Sequence, residues 1–212
     1  MALHEQPDLF GVDGDIASVP VLPDGWQYRD DFITPTEEAG LLSTIDTLSL
    51  QEARYKAWTA KRRVAHYGTA YDYDTNRLLP SAEVPEWLWP LREKAAAWVG
   101  LPATDFASAL IAEYRPGTAL GWHRDVPDFE VVVGVSLGTA CRMRLRRYPP
   151  VAPKKSDLLS VDLQPRSAYV LRGAARWDWQ HSIAPTPALR WSITFRTRRV
   201  GAARRSGSAS RA

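Results

Sequence analysis

Residues 190–196 read RWSITFR, and their side chains alternate between two kinds. Arg190, Ser192, Thr194 and Arg196 are polar, whereas the three residues between them are large and apolar. Side chains along a β-strand point to its two faces in turn, so this alternation predicts a strand with one polar and one apolar face. Such a strand either exposes its polar face to solvent or uses it to line a cavity.

The region that leads up to this strand consists of further short runs with strand-like composition. Glycine and proline separate them at short intervals, which is typical of a β-barrel or a β-sandwich. The runs are SALIAEYR (108–115), VVVGVSLG (131–138), CRMRLRRY (141–148), DLLSVDLQ (157–164) and SAYVLRG (167–173). Because RWSITFR closes this β-rich region, its polar face is predicted to line a cavity.

Two helical segments precede the β-rich region. Thr34 is followed by Pro35, two glutamates and apolar residues at helical spacing, which indicates the start of the first helix. The second segment, VPEWLWPLREKAAAWVGL (84–101), carries an apolar stripe typical of a helix that packs on a sheet. The stripe consists of Trp87, Leu88, Leu91, Ala95 and Trp98.

The composition indicates a folded protein. Of 212 residues, 45% are hydrophobic, which is enough to bury a sizeable core. The formal net charge of +3 permits nucleic acid as a partner without requiring it. A single cysteine, Cys141, excludes an internal disulfide and fits a reducing compartment. No apolar run approaches the roughly 20 residues of a membrane span, and the acidic start is unlike a signal peptide. We therefore expect a cytoplasmic monomer with no membrane partner.

The chain is expected to divide into three segments. Residues 1–25, rich in Pro, Gly and Asp, are predicted to form an irregular lead-in. Residues 26–200 are predicted to form one domain, with the β-rich core at about 105–199. The last segment, residues 201–212, reads GAARRSGSASRA and is predicted to be a disordered basic tail.

The stretch LGWHRDVPDF (120–129) contains a candidate metal pair. His123 and Asp125 are two residues apart, so on a strand they share one face and can bind one ion. His181, just before RWSITFR, is a candidate third ligand, because two histidines and one carboxylate hold Fe(II) with three positions left open. The spacing alone leaves open that His123 and Asp125 are surface residues and that His181 is a structural histidine.

The arginines of RWSITFR suggest an anion near this centre. On an extended strand the Cα atoms of Arg190 and Arg196 are about 20 Å apart, at roughly 3.3 Å per residue. If the two side chains lean towards each other, the remaining gap suits a short dicarboxylate. Guanidinium groups bind carboxylates through two hydrogen bonds and stay charged, so arginine serves this purpose better than lysine.

Together, GWHRD, RWDWQHSI and RWSITFR resemble the AlkB family of Fe(II)- and 2-oxoglutarate-dependent dioxygenases, over roughly residues 60–199. The resemblance implies an α+β, mainly β fold: a double-stranded β-helix (jelly roll) flanked by N-terminal helices and a substrate lid. It also implies that His123, Asp125 and His181 hold Fe(II). Arg190 would then pair with the far carboxylate of 2-oxoglutarate, and Arg196 would assist near the 1-carboxylate.

The resemblance extends to the cosubstrate pocket, with two departures. Tyr114 matches a tyrosine that hydrogen-bonds 2-oxoglutarate in the family. Ala112 and Ser192 stand where asparagine occurs in the best-known bacterial member or is common in the family. Both departures remove an amide, so they leave the hydrogen bonding of the cosubstrate open while retaining the ionic anchor at Arg190.

The activity implied by the resemblance is oxidative dealkylation of N-alkylated (methyl or etheno) bases in DNA or RNA. With O2 as oxidant, the products are formaldehyde, succinate and CO2. The target base must leave its stack to enter a pocket. Residues 57–77, AWTAKRRVAHYGTAYDYDTNR, are therefore expected to form a substrate lid. The expected contacts are Lys61, Arg62 and Arg63 with phosphates, and Trp58, His66, Tyr67, Tyr71 and Tyr73 with bases.

Several alternatives stay open on the sequence alone. Tyr71 and Tyr73 fit one face of a hairpin packed on the barrel, and Asp128 fits either a contact with the base edge or the surface. Arg142, Arg144 and Arg146 share one strand face, which is either a ridge of phosphate contacts or a solvated outer face.

Other functions also fit parts of the pattern. They are a dioxygenase of the same fold acting on proteins or small molecules, a non-catalytic nucleic-acid-binding module, and a zinc hydrolase. The zinc hydrolase leaves the arginine pair without a purpose. The choice between DNA and RNA, the preferred lesion and the preference for single or double strands are open.

Overall fold

A computed structural model of the chain describes residues 21–55, 58–72, 74–75, 77–152, 154 and 157–199. Most of the expected lead-in, the basic tail at 201–212 and the candidate Tyr73 lie outside the described residues. The expectations about them stay predictions.

Two antiparallel sheets form the body of the protein. The larger sheet has the strand order β1-β11-β8-β13-β6-β3-β2, and the smaller sheet has the order β10-β9-β12-β7. The strands of the larger sheet are β1 (Trp26–Arg29), β2 (Gln51–Tyr55), β3 (Trp58–Tyr67), β6 (Phe106–Tyr114), β8 (Phe129–Gly138), β11 (Ala168–Leu171) and β13 (Arg190–Arg198). Those of the smaller sheet are β7 (Leu120–His123), β9 (Cys141–Arg147), β10 (Leu159–Leu163) and β12 (Trp179–Ile183). A separate hairpin joins β4 (Thr69–Asp72) to β5 (Arg77–Pro80).

The predicted helices cover the outer face of the larger sheet. Helix α1 (Pro35–Ile45) begins with a capping box, in which Thr34 and Glu37 satisfy each other's backbone N–H groups. Helix α2 spans Trp89–Val99 and buries Leu91 and Ala95 of the expected stripe, while Trp98 is partly buried. Trp87 and Leu88 precede α2 in a short 3-10 turn, Glu86–Leu88, and pack against the same core. A short helix α3 (Gly173–Trp177) lies between β11 and β12 and was not expected.

Strand β13 separates the helical core from the interior of the sandwich. It pairs with β8 on one side and β6 on the other, so it lies inside the larger sheet. Its apolar residues Ile193 and Phe195 pack under the helices, and both are fully buried. Its polar residues line the space between the sheets together with residues from the smaller sheet. The prediction that this polar face lines a cavity is confirmed.

The segment expected to form the lid contributes to the larger sheet as well as to the pocket. Strand β3 extends the sheet by pairing with β6, from Arg63 opposite Glu113 to Tyr67 opposite Ala109. Among the described strands of this segment, β4 stands apart from the two large sheets and forms a hairpin with β5. The architecture is the expected jelly roll with flanking helices. No helix in the described part of the chain is long and apolar enough to span a membrane.

Candidate metal centre and active site

Neighbouring strands of the smaller sheet bring the two candidate histidines together. His181 on β12 is the register partner of His123 at the end of β7, and their ring centroids are 4.1 Å apart. Asp125 follows β7 by two residues, and one ligand atom from each of the three residues lies within 4.8 Å of the others. Two imidazoles and one carboxylate at this separation form a cluster that could hold a metal ion.

Hydrogen bonding prepares His123 for coordination. Its Nδ1 lies 2.9 Å from the carbonyl oxygen of Gly121. A carbonyl oxygen only accepts, so Nδ1 carries the proton and donates it there. The lone pair of Nε2 is therefore left for a metal. Such a bond from the second ring nitrogen is the usual way in which a protein fixes the tautomer and orientation of a metal-binding histidine.

The carboxylate of Asp125 is held ionised by its surroundings. Burial is the largest single influence and would raise its pKa, but the charges around it, led by the guanidinium of Arg196, together outweigh burial and hold the pKa far below the usual range. Arg196 Nε donates to Asp125 Oδ1 at 2.6 Å, and the Asp125 side chain is 6% exposed. The structure thus brings Arg196 to the candidate metal ligand itself, at the point expected to lie near the 1-carboxylate of the cosubstrate.

Sequence reasoning missed Arg176, which fixes the loop that carries Asp125. Arg176 is 2% exposed, and its Nη2 donates to the carbonyl oxygens of Asp125 (3.1 Å), Val126 (2.7 Å) and Phe129 (2.9 Å). Hydrogen bonds from a charged donor are about twice as strong as neutral ones. The short helix α3 places this guanidinium, and nothing in the spacing of RWDWQHSI distinguishes it from a solvated arginine.

An inner pocket between the sheets contains the residues expected to bind a cosubstrate. Arg190 is 1% exposed, and its Nε donates to Ser136 Oγ at 3.2 Å. Its Nη1 has no hydrogen-bond partner among the described residues. Its guanidinium carbon lies 4.8 Å from the ring centroid of Tyr114, and Ser192 is buried on the same face of β13. The inner pocket is therefore lined by a buried cation that needs an acceptor.

The phenol of Tyr114 lies between two arginines. Arg62 Nη1 donates to Tyr114 Oη at 3.3 Å. Burial alone would raise the pKa of Tyr114, but the charges of Arg62 and Arg190 outweigh it and the pKa lies below its ordinary value. The phenol and the two guanidinium groups together make this end of the pocket strongly electropositive.

An outer pocket of about 780 Å³ opens above the cluster. His66 and Tyr71 line it, and it shares His123, Asp125 and Arg196 with the inner pocket. Two of the candidate metal ligands, His123 and Asp125, therefore lie where the two pockets meet, and His181 lines the inner pocket.

The expected substrate residues divide between the two faces of β3. Arg62, Val64 and His66 point inward, whereas Tyr67 packs against the helical core on the opposite face. Tyr67 thus lies on the face away from the outer pocket, and its stacking on a base stays a prediction. Arg62 is buried at 7% exposure and lines the outer pocket, and its contact with phosphates stays a prediction.

The other residues predicted to contact the substrate do not form a single cluster. Arg63 forms a bidentate ion pair with Glu113, which leaves Lys61 as the exposed cation of this run. Tyr71 lies on the wall of the outer pocket. Burial, and then the charges of Asp128 and Asp72, raise the pKa of Tyr71. Trp58 belongs to β3, and Tyr73 lies outside the described residues.

Acidification is expected to destabilise the metal-free protein. Burial, the main cause in both cases, lowers the pKa of His181 to about 3 and that of His66 to about 4. The unfolded chain takes up these protons near its pKa of about 6.5. Stability is therefore present above that pH and lost as the pH falls towards the folded-state values. For the buried His181 the loss approaches about 1.4 kcal/mol per pH unit.

Urea unfolding with a chelator, between pH 7 and pH 5, measures this dependence. His181→Gln should flatten it, because glutamine does not titrate. A slope that stays the same in this variant would contradict the lowered pKa of His181.

Comparison with known proteins agrees with this geometry. The model of the 2OG-Fe(II) oxygenase superfamily matches residues 30–201. The "Alkylated DNA repair protein ALKBH8 homolog" of Arabidopsis thaliana is 32% identical over 176 residues, which cover 72% of this chain and 49% of the relative. The "tRNA (carboxymethyluridine(34)-5-O)-methyltransferase alkbh8" of Xenopus tropicalis is 29% identical over 171 residues, 78% of this chain and 26% of the relative. The chain thus spans about half of the first relative and about a quarter of the second.

A solved structure gives the same fold. The structure of OsALKBH1 superimposes with a TM-score of 0.64 at 15% identity, covering 84% of this chain and 99% of that one. The family match covers most of the chain and includes the whole candidate site. The chain therefore belongs to the 2OG-Fe(II) oxygenase superfamily, which uses Fe(II), 2-oxoglutarate and O2, and the resemblance to its AlkB family is confirmed.

Proposed function

We propose that this protein is a dioxygenase that removes methyl or etheno groups from bases of DNA or RNA. The observation that carries the proposal is the meeting of two pockets at His123 and Asp125. One pocket is deep and cationic, and the other is wide and open. The names of the two relatives, which refer to alkylated DNA and to tRNA, support nucleic acid as the substrate class.

The residues present fit Fe(II) and 2-oxoglutarate. His123, Asp125 and His181 are the donor set of a two-histidine, one-carboxylate centre. A buried guanidinium nitrogen without an acceptor, as at Arg190, is costly unless a ligand satisfies it. A carboxylate is the acceptor that matches a guanidinium in both charge and geometry. The far carboxylate of 2-oxoglutarate is therefore assigned to Arg190, with Tyr114 and Ser192 beside it.

When bound, the metal and cosubstrate would supply the oxidising chemistry that hydroxylates an N-alkyl carbon and yields succinate and CO2. A hydroxylated methyl group would then leave as formaldehyde. The protein holds and orients the reactants. Arg196 keeps the carboxylate of Asp125 ionised, and Arg176 holds the loop that carries it. Arg190 fixes one end of the cosubstrate in a compartment shielded from solvent.

The outer pocket is suited to an unstacked base. Its volume of about 780 Å³ lies within the usual range for sites that bind small molecules. Burial, followed by the charges of Arg196 and Arg62, lowers the pKa of His66 to about 4, so this ring is neutral at physiological pH. A neutral imidazole and the phenol of Tyr71 offer flat surfaces without a positive charge that would repel a cationic alkylated base.

One incubation tests the proposal. The protein is mixed with Fe(II), 2-oxoglutarate and DNA or RNA oligonucleotides that contain 1-methyladenine, 3-methylcytosine or an etheno adduct, and a methylated peptide is tested in parallel. We expect formaldehyde and succinate from at least one methylated oligonucleotide and none above background from the peptide. Turnover of the peptide alone would replace the proposal with a protein-directed dioxygenase.

A further inference from the structure

The outer face of the smaller sheet carries interleaved arginine and aromatic side chains. The guanidinium carbons of Arg144 and Arg146, both on β9, lie 5.3 and 4.4 Å from the ring of Trp122 on β7. Next to them, the guanidinium carbon of Arg124 lies 3.7 Å from the ring of Tyr148. We call these five residues the arginine ladder. Stacking of this kind orients a guanidinium while leaving its edge open to a further partner.

The arginines of the ladder keep their positive charge uncompensated. Arg144 Nε donates to Ser182 Oγ at 3.2 Å and Arg146 Nε to Gln180 Oε1 at 2.8 Å, and both acceptors are neutral. Arg124 Nη1 donates to the carbonyl of Trp177 at 2.7 Å. Within the described ranges, none of the three forms an ion pair with a carboxylate.

A neighbouring arginine on the same strand face shows the contrast. Arg142 is paired with Asp162 at 2.8 Å and 3.1 Å, so its charge is neutralised. Three fixed and unpaired cations remain at the ladder, with aromatic rings between them. Arginines held in this way match the negative charge of phosphates, the groups that receive most protein contacts in nucleic-acid complexes.

The ladder lies on the reverse side of the candidate active site. Trp122 and His123 are consecutive on β7, so their side chains point to opposite faces of the smaller sheet. Arg124 also lines the outer pocket. The ladder therefore begins at the mouth of the outer pocket and continues across the outside of the sheet through Arg146 and Arg144.

We propose that the arginine ladder binds the sugar-phosphate backbone of the nucleic-acid strand that flanks the target nucleotide. The identity of this partner rests on the proposed function. A nucleotide in the outer pocket leaves the adjoining strand at the pocket mouth, where Arg124 and Tyr148 receive it. The next phosphates then contact Arg146 and Arg144. These contacts add affinity and register but do not read the base sequence.

Salt-dependent binding tests the proposal. The probe is a fluorescent, unmodified single strand, as DNA and as RNA, and its affinity is measured by anisotropy at several salt concentrations. We expect Arg144→Gln/Arg146→Gln to reduce the slope of log K against log salt by about 1.4, since each contact with a single-stranded phosphate contributes about 0.7. Arg144→Lys/Arg146→Lys keeps both charges and should retain most of the slope.

A matched control removes two positive charges elsewhere. Arg29→Gln/Lys94→Gln acts on β1 and on helix α2, outside the smaller sheet, and should leave the slope unchanged. The ladder proposal is overturned if the control and the Arg144→Gln/Arg146→Gln variant lose the same slope, or if the latter loses binding to phosphatidylserine vesicles as strongly as to the strand. Circular dichroism establishes that each variant is folded.

The outcome is separable from that of the proposed function, because the probe has no alkyl group and no cosubstrate is added. A reduced slope without turnover of any alkylated oligonucleotide supports the ladder and overturns the dealkylation proposal. Turnover of an alkylated oligonucleotide with an unchanged slope supports the dealkylation proposal and overturns the ladder.

Discussion

Replacing Asp125 with alanine is expected to abolish formaldehyde release from methylated oligonucleotides. The substitution removes one of three candidate metal ligands. Loss of a residue that only orients a ligand already costs 10–100-fold in metal affinity or activity, so loss of the ligand should cost more than about 100-fold. Formaldehyde release and titration with Co(II), a spectroscopic substitute for Fe(II), measure the two effects.

Asp125→Ala should also destabilise the metal-free protein. Arg196 loses its ion-pair partner while its side chain stays largely buried, at 14% exposure. An uncompensated charge of this kind costs about 3 kcal/mol. Urea unfolding measures the loss, and adding Arg196→Met to Asp125→Ala should recover part of it.

Asp128→Ala provides the matched control for metal binding, because it removes a carboxylate three residues away that is not part of the cluster. It should bind Co(II) like the unaltered protein. If formaldehyde release survived Asp125→Ala, the assignment of this carboxylate as a ligand would be refuted.

Replacing Arg190 with methionine is expected to weaken 2-oxoglutarate binding without destabilising the protein. Truncating one partner of a buried, hydrogen-bonded charge pair costs at least about 2 kcal/mol, which raises the Kd about 30-fold or more. The same change removes a buried guanidinium whose Nη1 has no partner among the described residues. The free energy of unfolding without cosubstrate should therefore stay the same or rise.

Calorimetric titration of 2-oxoglutarate into the Mn(II)-loaded protein gives the first quantity, and urea unfolding gives the second. Arg190→Lys keeps the charge but cannot form two parallel hydrogen bonds with a carboxylate. Its Kd for 2-oxoglutarate should therefore lie between that of the unaltered protein and that of Arg190→Met. Arg29→Met makes the same substitution at an exposed position at the end of β1 and should not change the Kd. An Arg190→Met protein that bound 2-oxoglutarate within threefold of the unaltered affinity would contradict the role of Arg190.

Much of the fold and of the metal cluster could be predicted because each depends on a pattern within a few consecutive residues. The period-two pattern of RWSITFR places Arg190 on the same face as Ser192, and the H-x-D spacing places His123 beside Asp125. The first pattern needs only that the segment is a strand. For the second, only His123 lies on a strand, and Asp125 is in the loop after β7, where Arg176 holds its backbone. The structure places all of these side chains between the sheets.

The orientation of the β3 side chains could not be predicted from the sequence, because it depends on a distant strand. In KRRVAHY both faces of the strand carry basic or aromatic residues, so the alternation does not reveal which face is inside. Pairing with β6 decides that Arg62 and His66 point inward and that Tyr67 points to the helices. Arg176 was missed for a related reason, because the carbonyls it binds are 47 to 51 residues away in the chain.

The position of β7 in the smaller sheet has a consequence for the stability of the protein. This four-residue strand lies at the edge of the sheet and pairs with β12 alone. His123 and Asp125, on and just after β7, and His181, on β12, would hold an ion together, so binding would favour the paired edge. Binding to the native state alone adds about 2.7 kcal/mol when the free ion is at a hundred times its Kd. Iron supply would then govern how much of the protein stays folded, as well as the fraction of molecules that can be active.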